Sequence, residues 1–345
     1  MNKEVYIKRC LQIAENGVGT TRPNPSVGAV IVYNNKIIAE GFTSPFGGNH
    51  AEVNAINAVK DKSVLKDATI YVTLEPCSHF GKTPPCADLI VKHQFKQVVI
   101  GCLDSNTLVA GKGVNRLKDA NINVVVGVLE NECRAQHKRF LSVQENLRPY
   151  IILKWAETKD GFIAPETKKE KKPVFISNSY SQQLVHKLRS KEHAIIVGTN
   201  TALVDNPKLN LRTWSGLNPV RVVLDRTLKI EQSANLFDKT IKTIVLTGKK
   251  SEKLNSENLI FEKINFDDNL AATIINVLSK HKIQSLIVEG GTQTLQTFIA
   301  QNLWDEALVF VGNSSFKKGV VAPKIAKNYK EHFIKDDVLK IFKND

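Results

Sequence analysis

The chain has 345 residues, a length that favours two domains, each large enough to bury its own core. A content of 42% hydrophobic and 24% charged residues is that of ordinary globular proteins and excludes a fibrous or largely disordered chain. The sequence has neither a signal-peptide pattern nor an apolar window of membrane-spanning length, so we expect a cytoplasmic enzyme without a membrane partner. Five cysteines in such a chain argue against a disulfide framework and point to metal binding or catalysis.

The formal net charge of +14 fits three explanations: nucleic-acid binding, a phosphorylated substrate, or a lysine-rich solvated surface. Basic residues are spread along the chain. The one dense run, at 168–172, lacks the interleaved aromatic residues on which single-strand binders stack bases. A solvated surface is the commonest explanation, and the charge alone does not decide among the three. We expect no nucleic-acid partner.

The first half of the chain alternates helical and strand patterns, which predicts an α/β layered sheet. Asn34-Asn35 predicts a hairpin turn between the first two strands. Pro149 ends the last helical pattern and predicts a linker at 147–150. Helices are predicted at 6–16, 50–59, 86–93, 113–120 and 130–145, and strands at 27–33, 37–42, 68–74, 97–103 and 122–127.

The second half shows the same alternation, so both predicted domains, 1–147 and 148–345, belong to the α/β class. Strands are predicted at 150–157, 193–197, 220–224, 243–246, 285–288 and 306–311, and helices near 179–190, 270–280 and 292–301.

The strongest chemical signal is a set of potential metal ligands. His50 and Glu52 open a predicted helix, Cys77 follows a strand and a proline, and Cys86 comes after a further eight residues. The set matches the His-x-Glu, Pro-Cys, Cys signature of zinc nucleoside and nucleobase deaminases, in which the cysteines usually lie closer together. Two thiolates and a neutral imidazole fill three tetrahedral positions and leave the fourth for a water whose pKa zinc lowers to about 7.

Glu52 lies two residues after the histidine, on the same helical turn. A carboxylate there reaches the water without binding the metal, and it shuttles a proton to the ring nitrogen and then to the departing amine. The sequence therefore predicts zinc bound by His50, Cys77 and Cys86, with Glu52 as the catalytic acid and base.

Longer motifs occur in both halves of the chain. They are Thr21-Arg-Pro-Asn-Pro-Ser-Val-Gly-Ala29, His50-Ala-Glu52, the segment 73–86, the segment 154–161, Val197-Gly-Thr-Asn-Thr-Ala-Leu-Val-Asp-Asn-Pro207, the segment 219–225 and Val288-Glu-Gly-Gly-Thr292. Together these motifs resemble a known family, the bifunctional deaminase/reductases of riboflavin biosynthesis. The long segment between the two cysteines is a mark of that family, and the resemblance covers almost the whole chain.

The resemblance implies a cytidine-deaminase-like three-layer α/β domain followed by a dihydrofolate-reductase-like α/β domain. The first would deaminate 2,5-diamino-6-(5-phosphoribosylamino)pyrimidin-4-one with one zinc ion per chain. The second would use NADPH to reduce the ribosyl group to ribityl. It also implies a homo-oligomer, and the small phosphorylated pyrimidine substrate suits the positive charge.

In the first domain the resemblance implies substrate contacts from Asn24, His79 and Lys82. The Asn24 amide is able to bind the polar edge of a pyrimidine, but an asparagine there equally suits a turn. His79 and Lys82 lie in the loop between the cysteines, where either a phosphate contact or plain exposure to solvent is expected.

In the second domain Gly290-Gly291, after a strand and before a helix, offers backbone amides to a cofactor phosphate. Arg189 suits a phosphate, although a cation at the end of a helix also stabilises the helix dipole. The cofactor contacts that the resemblance implies are Ala156, Phe175, Thr201, Asp205, Arg226, Gly291, Thr292, Gln293, Thr294, Leu295, Gln296 and Thr297. The substrate contacts that it implies are Pro173, Arg189, Leu209, Arg212 and Glu289.

Two alternatives stay open on the sequence alone. The zinc domain could act on RNA or a free nucleoside, and the second domain could be a non-catalytic binding or oligomerisation module. The second domain departs more from the family pattern, which has Ser-Leu-Asp-Gly where this chain has Thr158-Lys-Asp-Gly161 and Ser-x-Trp-Ile where it has Pro173-Val-Phe-Ile176.

Overall fold

The computed structural model describes residues 3–80, 84–105, 110–167, 174–250 and 255–344, so the predicted contacts Lys82 and Pro173 lie outside the described residues. The chain divides into two compact units, Met1–Leu147 and Arg148–Asp345. Among the described helices, none is long and apolar enough to cross a lipid bilayer.

The N-terminal unit is built on a mixed sheet. Its described helices are α1 (Lys3–Ala14), α2 (Ala51–Ala58), α3 (Cys86–Lys92), α4 (Lys112–Asp119) and α5 (Glu130–Glu145), and its strands are β1 (Gly28–Tyr33), β2 (Lys36–Phe42), β3 (Thr69–Leu74), β4 (Gln97–Cys102) and β5 (Asn123–Val126). The strand order is β2-β1-β3-β4-β5. The strand β1 pairs antiparallel with β2 and β3, whereas β3, β4 and β5 run parallel.

These elements confirm the helices and strands predicted for the first half of the chain to within a few residues. The hairpin turn is also confirmed, because Asn34 and Asn35 both have positive φ between the paired strands β1 and β2. Asparagine tolerates this left-handed backbone better than most residues, and two such residues give the twist that an antiparallel hairpin needs.

Helices cover both faces of this sheet. A Cβ atom at Gly28 would lie 2.0 Å from the carbonyl oxygen of Cys10 in α1, and one at Gly41 would lie 2.4 Å from the backbone nitrogen of Ala55 in α2. Gly41 pairs with Ala29, the neighbour of Gly28 along β1, so the two glycines face opposite sides of the sheet. The unit therefore has the predicted three layers.

The C-terminal unit contains a larger sheet. The described elements of this unit are β6 (Tyr150–Thr158), β7 (Phe162–Pro165), α6 (Ser179–Lys191), β8 (Ala194–Val197), α7 (Thr199–Asp205), β9 (Val220–Leu224), β10 (Thr243–Thr247), β11 (Leu259–Lys263), α8 (Leu270–Lys280), β12 (Ser285–Val288), α9 (Thr292–Ala300), β13 (Glu306–Gly312), β14 (Gly319–Val321), β15 (Tyr329–Ile334) and β16 (Asp337–Lys343). The strand order of the larger sheet is β11-β10-β9-β8-β12-β6-β13-β16-β15. The strands from β11 to β13 in this order are parallel to one another. The strand β16 runs antiparallel to its neighbours β13 and β15.

The parallel part of this sheet is buried on both faces. Along β8, Ala194 and Ile196 join one apolar cluster, whereas Ile195 and Val197 join another. Continuous apolar runs of this kind are expected where helices cover both faces of a parallel sheet. They leave the ends of the strands as the places where polar groups are accessible to a ligand.

Several elements of this unit were not predicted: β7, α7, β11, β14, β15 and β16. The edge strand β15 is mostly exposed, so its sequence lacks the alternation of apolar and polar residues that indicates a strand. It forms because β16 pairs with β13, an interaction between distant segments that local patterns do not encode.

The close approach of α2 to β2 gives a test of the fold. Gly41→Ala adds a methyl group 2.4 Å from the backbone nitrogen of Ala55, so α2 must move away from the sheet. We expect the free energy of unfolding, measured by chemical denaturation, to fall by about 1–3 kcal/mol. Lys36→Ala, at an exposed position on the same strand, should change it by less than about 0.5 kcal/mol. If both variants had the same denaturation midpoint, this account of the packing would be contradicted.

Candidate active sites

Three predicted metal ligands converge in the N-terminal unit. His50, Cys77 and Cys86 each place one ligand atom within 4.8 Å of the others, and they are the only such group found among the described residues. The His50 Nδ1 atom lies 3.6 Å from the Cys77 Sγ atom and 3.3 Å from the Cys86 Sγ atom. The structure thus brings together side chains that are up to 36 residues apart in the sequence.

These distances fit a tetrahedral zinc ion. Zinc–sulfur bonds of about 2.3 Å and zinc–nitrogen bonds of about 2.0–2.1 Å at a tetrahedral angle place a sulfur and a nitrogen ligand about 3.6 Å apart. Two sulfurs and one imidazole nitrogen are also a donor set that zinc prefers over harder cations. One tetrahedral position is left for a water or substrate, as in catalytic zinc sites.

Local backbone structure holds the three ligands. His50 is the N-cap of α2, with an extended backbone that precedes the first helical turn. Cys86 is the first residue of α3, and its backbone N–H donates to the Cys77 Sγ atom at 3.3 Å. The backbone N–H of Ala87 donates to the Cys77 carbonyl oxygen at 3.1 Å. The start of α3 therefore fixes both cysteines relative to each other.

The environments of the two thiols shift their pKa values in opposite directions. A hydrogen bond from Cys86 lowers the pKa of Cys77 to about 4, with burial opposing the shift and His50 adding to it. The pKa of Cys86 is raised by the hydrogen bond to Cys77 and by burial. A thiolate is the form of cysteine that binds metal, so Cys77 is the thiol of this pair that is prepared to bind a cation.

Glu52 lies in the first turn of α2 and is only 4% exposed. Burial raises the pKa of its carboxyl group to about 7, and the negative charge of Cys77 adds to the shift. A carboxyl group that titrates near neutral pH is suited to both accept and donate a proton. The structure therefore places a buried acid and base next to the three metal ligands.

The other residues predicted for this site are placed differently. The backbone of Asn24 forms a turn with Thr21, whose carbonyl oxygen accepts from the Asn24 N–H and whose hydroxyl donates to the Asn24 carbonyl oxygen. That turn uses only backbone atoms of Asn24. The substrate contact expected of its side-chain amide therefore stays a prediction. His79 is exposed in the loop after Cys77.

A charged cluster marks the C-terminal unit. Glu289 follows β12 and is 12% exposed, and its carboxylate oxygens accept from Lys154 Nζ at 2.7 Å and from Arg189 Nη2 at 2.8 Å. Burial raises the pKa of Glu289, but the charges of Arg189 and Lys154 outweigh it and lower the pKa to about 2. Glu289 is therefore a carboxylate that holds two cations.

Two further basic side chains border this cluster. The backbone N–H of Arg212 donates to His186 Nδ1 at 3.4 Å, and burial together with Arg189 and Arg212 lowers the pKa of His186 to about 4. Arg212 is exposed at the surface of the unit, whereas Leu209 is buried in an apolar cluster. Because the Leu209 side chain is buried, the predicted substrate contact would come from its backbone atoms, and it stays a prediction.

The structure brings three of the predicted cofactor residues together at the carboxyl ends of β8 and β12. Gly291 has a φ of +72° and precedes α9, and a Cβ atom there would lie 3.4 Å from the Thr201 hydroxyl oxygen. A Cβ atom at Gly198 would lie 2.5 Å from the Thr294 hydroxyl oxygen. Ligands of open α/β sheets bind at such strand ends, with phosphates next to helix N-termini.

The remaining predicted cofactor residues are more widely spread. Ala156 is half-buried on β6, Asp205 ends α7, and the Phe175 side chain is 66% exposed. The guanidinium of Arg226 lies 5.9 Å from the centre of the Phe266 ring. Their contacts with a cofactor stay predictions.

Along α9 the side chains point in different directions. Thr292 donates its hydroxyl to the Val321 carbonyl oxygen, and Thr297 donates to Gln293 within the helix. Leu295 is fully buried in the core, whereas Gln296 is exposed. Because the Leu295 side chain is buried, its predicted contact with the cofactor would come from backbone atoms.

Three polar residues at these sites were not predicted. Lys154 is a lone cation in the apolar strand β6, a pattern that signals a buried partner. His186 lies three residues before Arg189 and so on the same face of α6. Glu75 is buried directly after β3, and its position at the end of a strand was the available signal.

Known family patterns match both units. The family described as "Cytidine and deoxycytidylate deaminase zinc-binding region" matches residues 1–102. The family described as "RibD C-terminal domain" matches residues 149–313. These matches confirm the predicted fold class, a cytidine-deaminase-like α/β domain followed by a reductase domain of the dihydrofolate-reductase type.

Similar proteins cover nearly the whole chain. The riboflavin biosynthesis protein RibD of Aquifex aeolicus is 40% identical over 323 residues, which span 91% of this chain and 88% of that protein. The RibD protein of Bacillus amyloliquefaciens is 36% identical, over 94% of this chain and 87% of that protein. The crystal structure of a deaminase/reductase from Thermotoga maritima is 34% identical, with a TM-score of 0.89 and coverage of 99% and 98%. The chain belongs to the RibD family of bifunctional riboflavin-biosynthesis deaminase/reductases.

Proposed function

We propose that this chain catalyses two steps of riboflavin biosynthesis: the deamination of 2,5-diamino-6-(5-phosphoribosylamino)pyrimidin-4-one, followed by NADPH-dependent reduction of the ribosyl group to ribityl. The convergence of His50, Cys77 and Cys86 beside the buried Glu52 carries the proposal. The Thermotoga maritima relative, aligned over 99% of this chain, is described as a diaminohydroxyphosphoribosylaminopyrimidine deaminase and a 5-amino-6-(5-phosphoribosylamino)uracil reductase.

In the first step His50, Cys77 and Cys86 hold zinc. When bound, zinc supplies the Lewis acidity that makes water a nucleophile at neutral pH. Glu52 takes a proton from the attacking water at its carboxylate and delivers it to the ring nitrogen of the substrate. Glu52, again a carboxylate, takes the second proton from the same oxygen, now a hydroxyl on the ring carbon, and gives it to the amine. The carbon–nitrogen bond breaks, ammonia leaves, and the oxygen becomes the carbonyl of the product. Burial of Glu52 keeps bulk water away from these proton transfers.

In the second step the protein positions its ligands. Gly291, Thr201 and Thr294, gathered at the strand ends, would hold the cofactor, and NADPH supplies the hydride that reduces the sugar carbon. Arg189 and Lys154 lie on either side of Glu289 and present positive charge toward a phosphorylated substrate. Alignment of sugar and cofactor, with exclusion of water, is what this site contributes.

We assign deamination to residues 1–147 and reduction to residues 148–345. The family pattern of the zinc-binding region falls wholly in the first segment, and that of the RibD C-terminal domain falls wholly in the second. The two sites share no described residue, so each activity should survive the loss of the other.

We also propose that the chain works as a homo-oligomer in the cytoplasm, on a small phosphorylated substrate and not on nucleic acid. Cys10, Cys102 and Cys133 are buried free thiols, which suits a reducing compartment. The exposed edge strand β15, with Phe333 79% exposed, is suited to pairing with a second copy. Light scattering of the purified chain measures its oligomeric state.

The whole proposal is tested by supplying zinc-loaded protein with the diaminopyrimidinone substrate, with and without NADPH. We expect ammonia in both mixtures and NADPH oxidation only after ammonia release begins. Ammonia without NADPH oxidation would leave a deaminase joined to an inactive second domain. If neither signal appears, the proposed substrate is wrong, and RNA would be tested next.

Glu52→Gln separates proton transfer from metal binding. Because Glu52 is assigned to protons and not to the metal, the variant should keep one zinc per chain, and its ammonia release should fall by at least about 100-fold. It should still reduce substrate that is already deaminated. Elemental analysis and the two rate assays check this.

Glu132→Gln is the matched control, since Glu132 lies in the first turn of α5, away from the three ligands. It should retain both activities. Loss of zinc from Glu52→Gln would show that Glu52 is a ligand and would contradict its assigned role.

Glu289→Gln tests the charged cluster of the second unit. The substitution leaves Lys154 and Arg189 without their shared carboxylate, so the free energy of unfolding should fall by about 3 kcal/mol. The kcat/KM for reduction should fall by about 100-fold as both cations shift. Ammonia release should stay at the wild-type rate. Glu262→Gln, which removes a half-exposed carboxylate paired with His281, is the control and should leave reduction unchanged.

The same cluster predicts a pH dependence. Since the folded pKa of Glu289 is about 2, below its ordinary value of 4.5, its stabilising effect is fully present above pH 4.5. That effect is lost as the pH falls from 4.5 toward 2. The difference in unfolding free energy between wild type and Glu289→Gln should therefore shrink over this range. A constant difference would show that Glu289 does not stabilise the fold through its charge.

A further inference from the structure

Glu75 is a buried carboxylate that has no part in the proposed chemistry. It is 3% exposed and directly follows β3, two residues before the zinc ligand Cys77. Its carboxylate oxygens accept from backbone N–H groups at the start of α4: Gly111 at 3.0 Å and Val114 at 3.0 Å. A third, longer bond of 3.3 Å comes from the backbone N–H of Asp104.

This carboxylate caps α4 from outside the helix. Gly111 is the N-cap of α4 and Val114 lies in its first turn, where backbone N–H groups have no partner within the helix. The N-cap glycine has no side-chain acceptor of its own, so Glu75 supplies the acceptors that a serine or aspartate would otherwise provide. Its negative charge also lies at the positive end of the helix dipole.

The main chain around Glu75 is fixed on two further sides. The Glu75 N–H donates to the Cys102 carbonyl oxygen at the end of β4, at 3.0 Å. A Cβ atom at Gly113, in the first turn of α4, would lie 2.2 Å from the Pro76 carbonyl oxygen. The segment of Glu75 and Pro76 is therefore held tightly between β4 and α4.

The link from this segment to the metal ligand is short and stiff. Pro76 is the single residue between Glu75 and Cys77, and its ring fixes φ. A displacement of Glu75 therefore also displaces Cys77. On its other side Cys77 is held by the backbone N–H groups of Cys86 and Ala87 in α3.

We propose that Glu75 is a positioning residue of the zinc site: by binding the first turn of α4 it sets, through Pro76, where the Cys77 sulfur meets the metal. The proposal rests on zinc binding by His50, Cys77 and Cys86 as stated above. Glu75 is not one of the three candidate ligands, and the hydrogen bonds to its carboxylate described above come from backbone N–H groups. Its loss should act on metal affinity and coordination, because partners outside the ligand shell hold the ligands in place.

The test is Glu75→Gln in the full-length chain. The amide keeps the size of the side chain but replaces one acceptor oxygen with a donor that faces N–H groups. We expect zinc affinity, measured by competition with a chromophoric chelator, to fall about 10-fold or more. The absorption bands of the cobalt-substituted protein should shift, since they report the geometry around the metal.

Asp225→Asn is the matched control. Asp225 is a buried carboxylate in the second unit whose oxygens accept from the backbone N–H groups of Lys229 and Ile230, at 2.8 and 2.9 Å. The change loses the same kind of bond and lowers stability, yet it should leave zinc affinity and the cobalt spectrum unaltered. A general effect of destabilisation on metal binding would appear in both variants.

Gly113→Ala changes the first turn of α4, which packs against the segment of Glu75 and Pro76. It tests the proposal if Glu75→Gln does not fold. Alanine suits a helix, but its methyl group pushes on Pro76, so zinc affinity should again fall. Wild-type affinity and an unchanged cobalt spectrum in both variants would overturn the role of Glu75. A wild-type chain that binds no zinc would instead overturn the proposed function.

Discussion

Close packing of helices on sheets, at positions where only glycine fits, determines where the functional groups of both units lie. The helix that carries His50 and Glu52 reaches its sheet at Gly41, where the helix backbone leaves no room for a side chain. In the second unit Gly290, two residues before α9, lies equally close to β8, because a Cβ atom there would be 2.8 Å from the Val197 Cβ atom and 3.0 Å from its Cα atom. Since interiors are packed as densely as organic crystals, a single methyl group at such a contact displaces a whole helix. The ligand geometry depends on these contacts.

The two units use buried carboxylates in opposite ways. Glu52 is buried beside the Cys77 thiolate, and its pKa rises to about 7, which suits a group that must gain and lose a proton in each cycle. Glu289 lies between two cations, and its pKa falls to about 2, which keeps it charged at every physiological pH. Burial alone would raise the pKa of both carboxyl groups, so the two cations beside Glu289 account for the difference between the two pKa values. Glu52 is therefore suited to proton transfer, whereas Glu289 holds two cations in place.

A single chain that deaminates and then reduces the same phosphorylated compound gives the positive net charge a specific use. Arg189, Lys154 and Arg212 concentrate part of the +14 charge around Glu289, the place that we propose for the phosphate or sugar of the substrate. The zinc site relies on a different principle, the affinity of thiolates and imidazole for a soft cation. Relatives from Aquifex aeolicus and Bacillus amyloliquefaciens match over 91% and 94% of this chain, so segments similar to both units occur together in one polypeptide in those proteins too.

The sequence by itself determined the group of candidate zinc ligands that the structure brings together, the fold class, and the helices and strands of the first half. It could do so because His50-x-Glu52 and the two cysteines are local patterns imposed by the chemistry of zinc, and because apolar residues repeat at helical or strand periods. Only the tertiary structure decided that Lys154 and Arg189 share Glu289, that Glu75 caps α4 and that β15 and β16 extend the second sheet. Each of these depends on segments that are far apart in the sequence, and the periodicity of one segment carries no information about which distant backbone or charge it will meet.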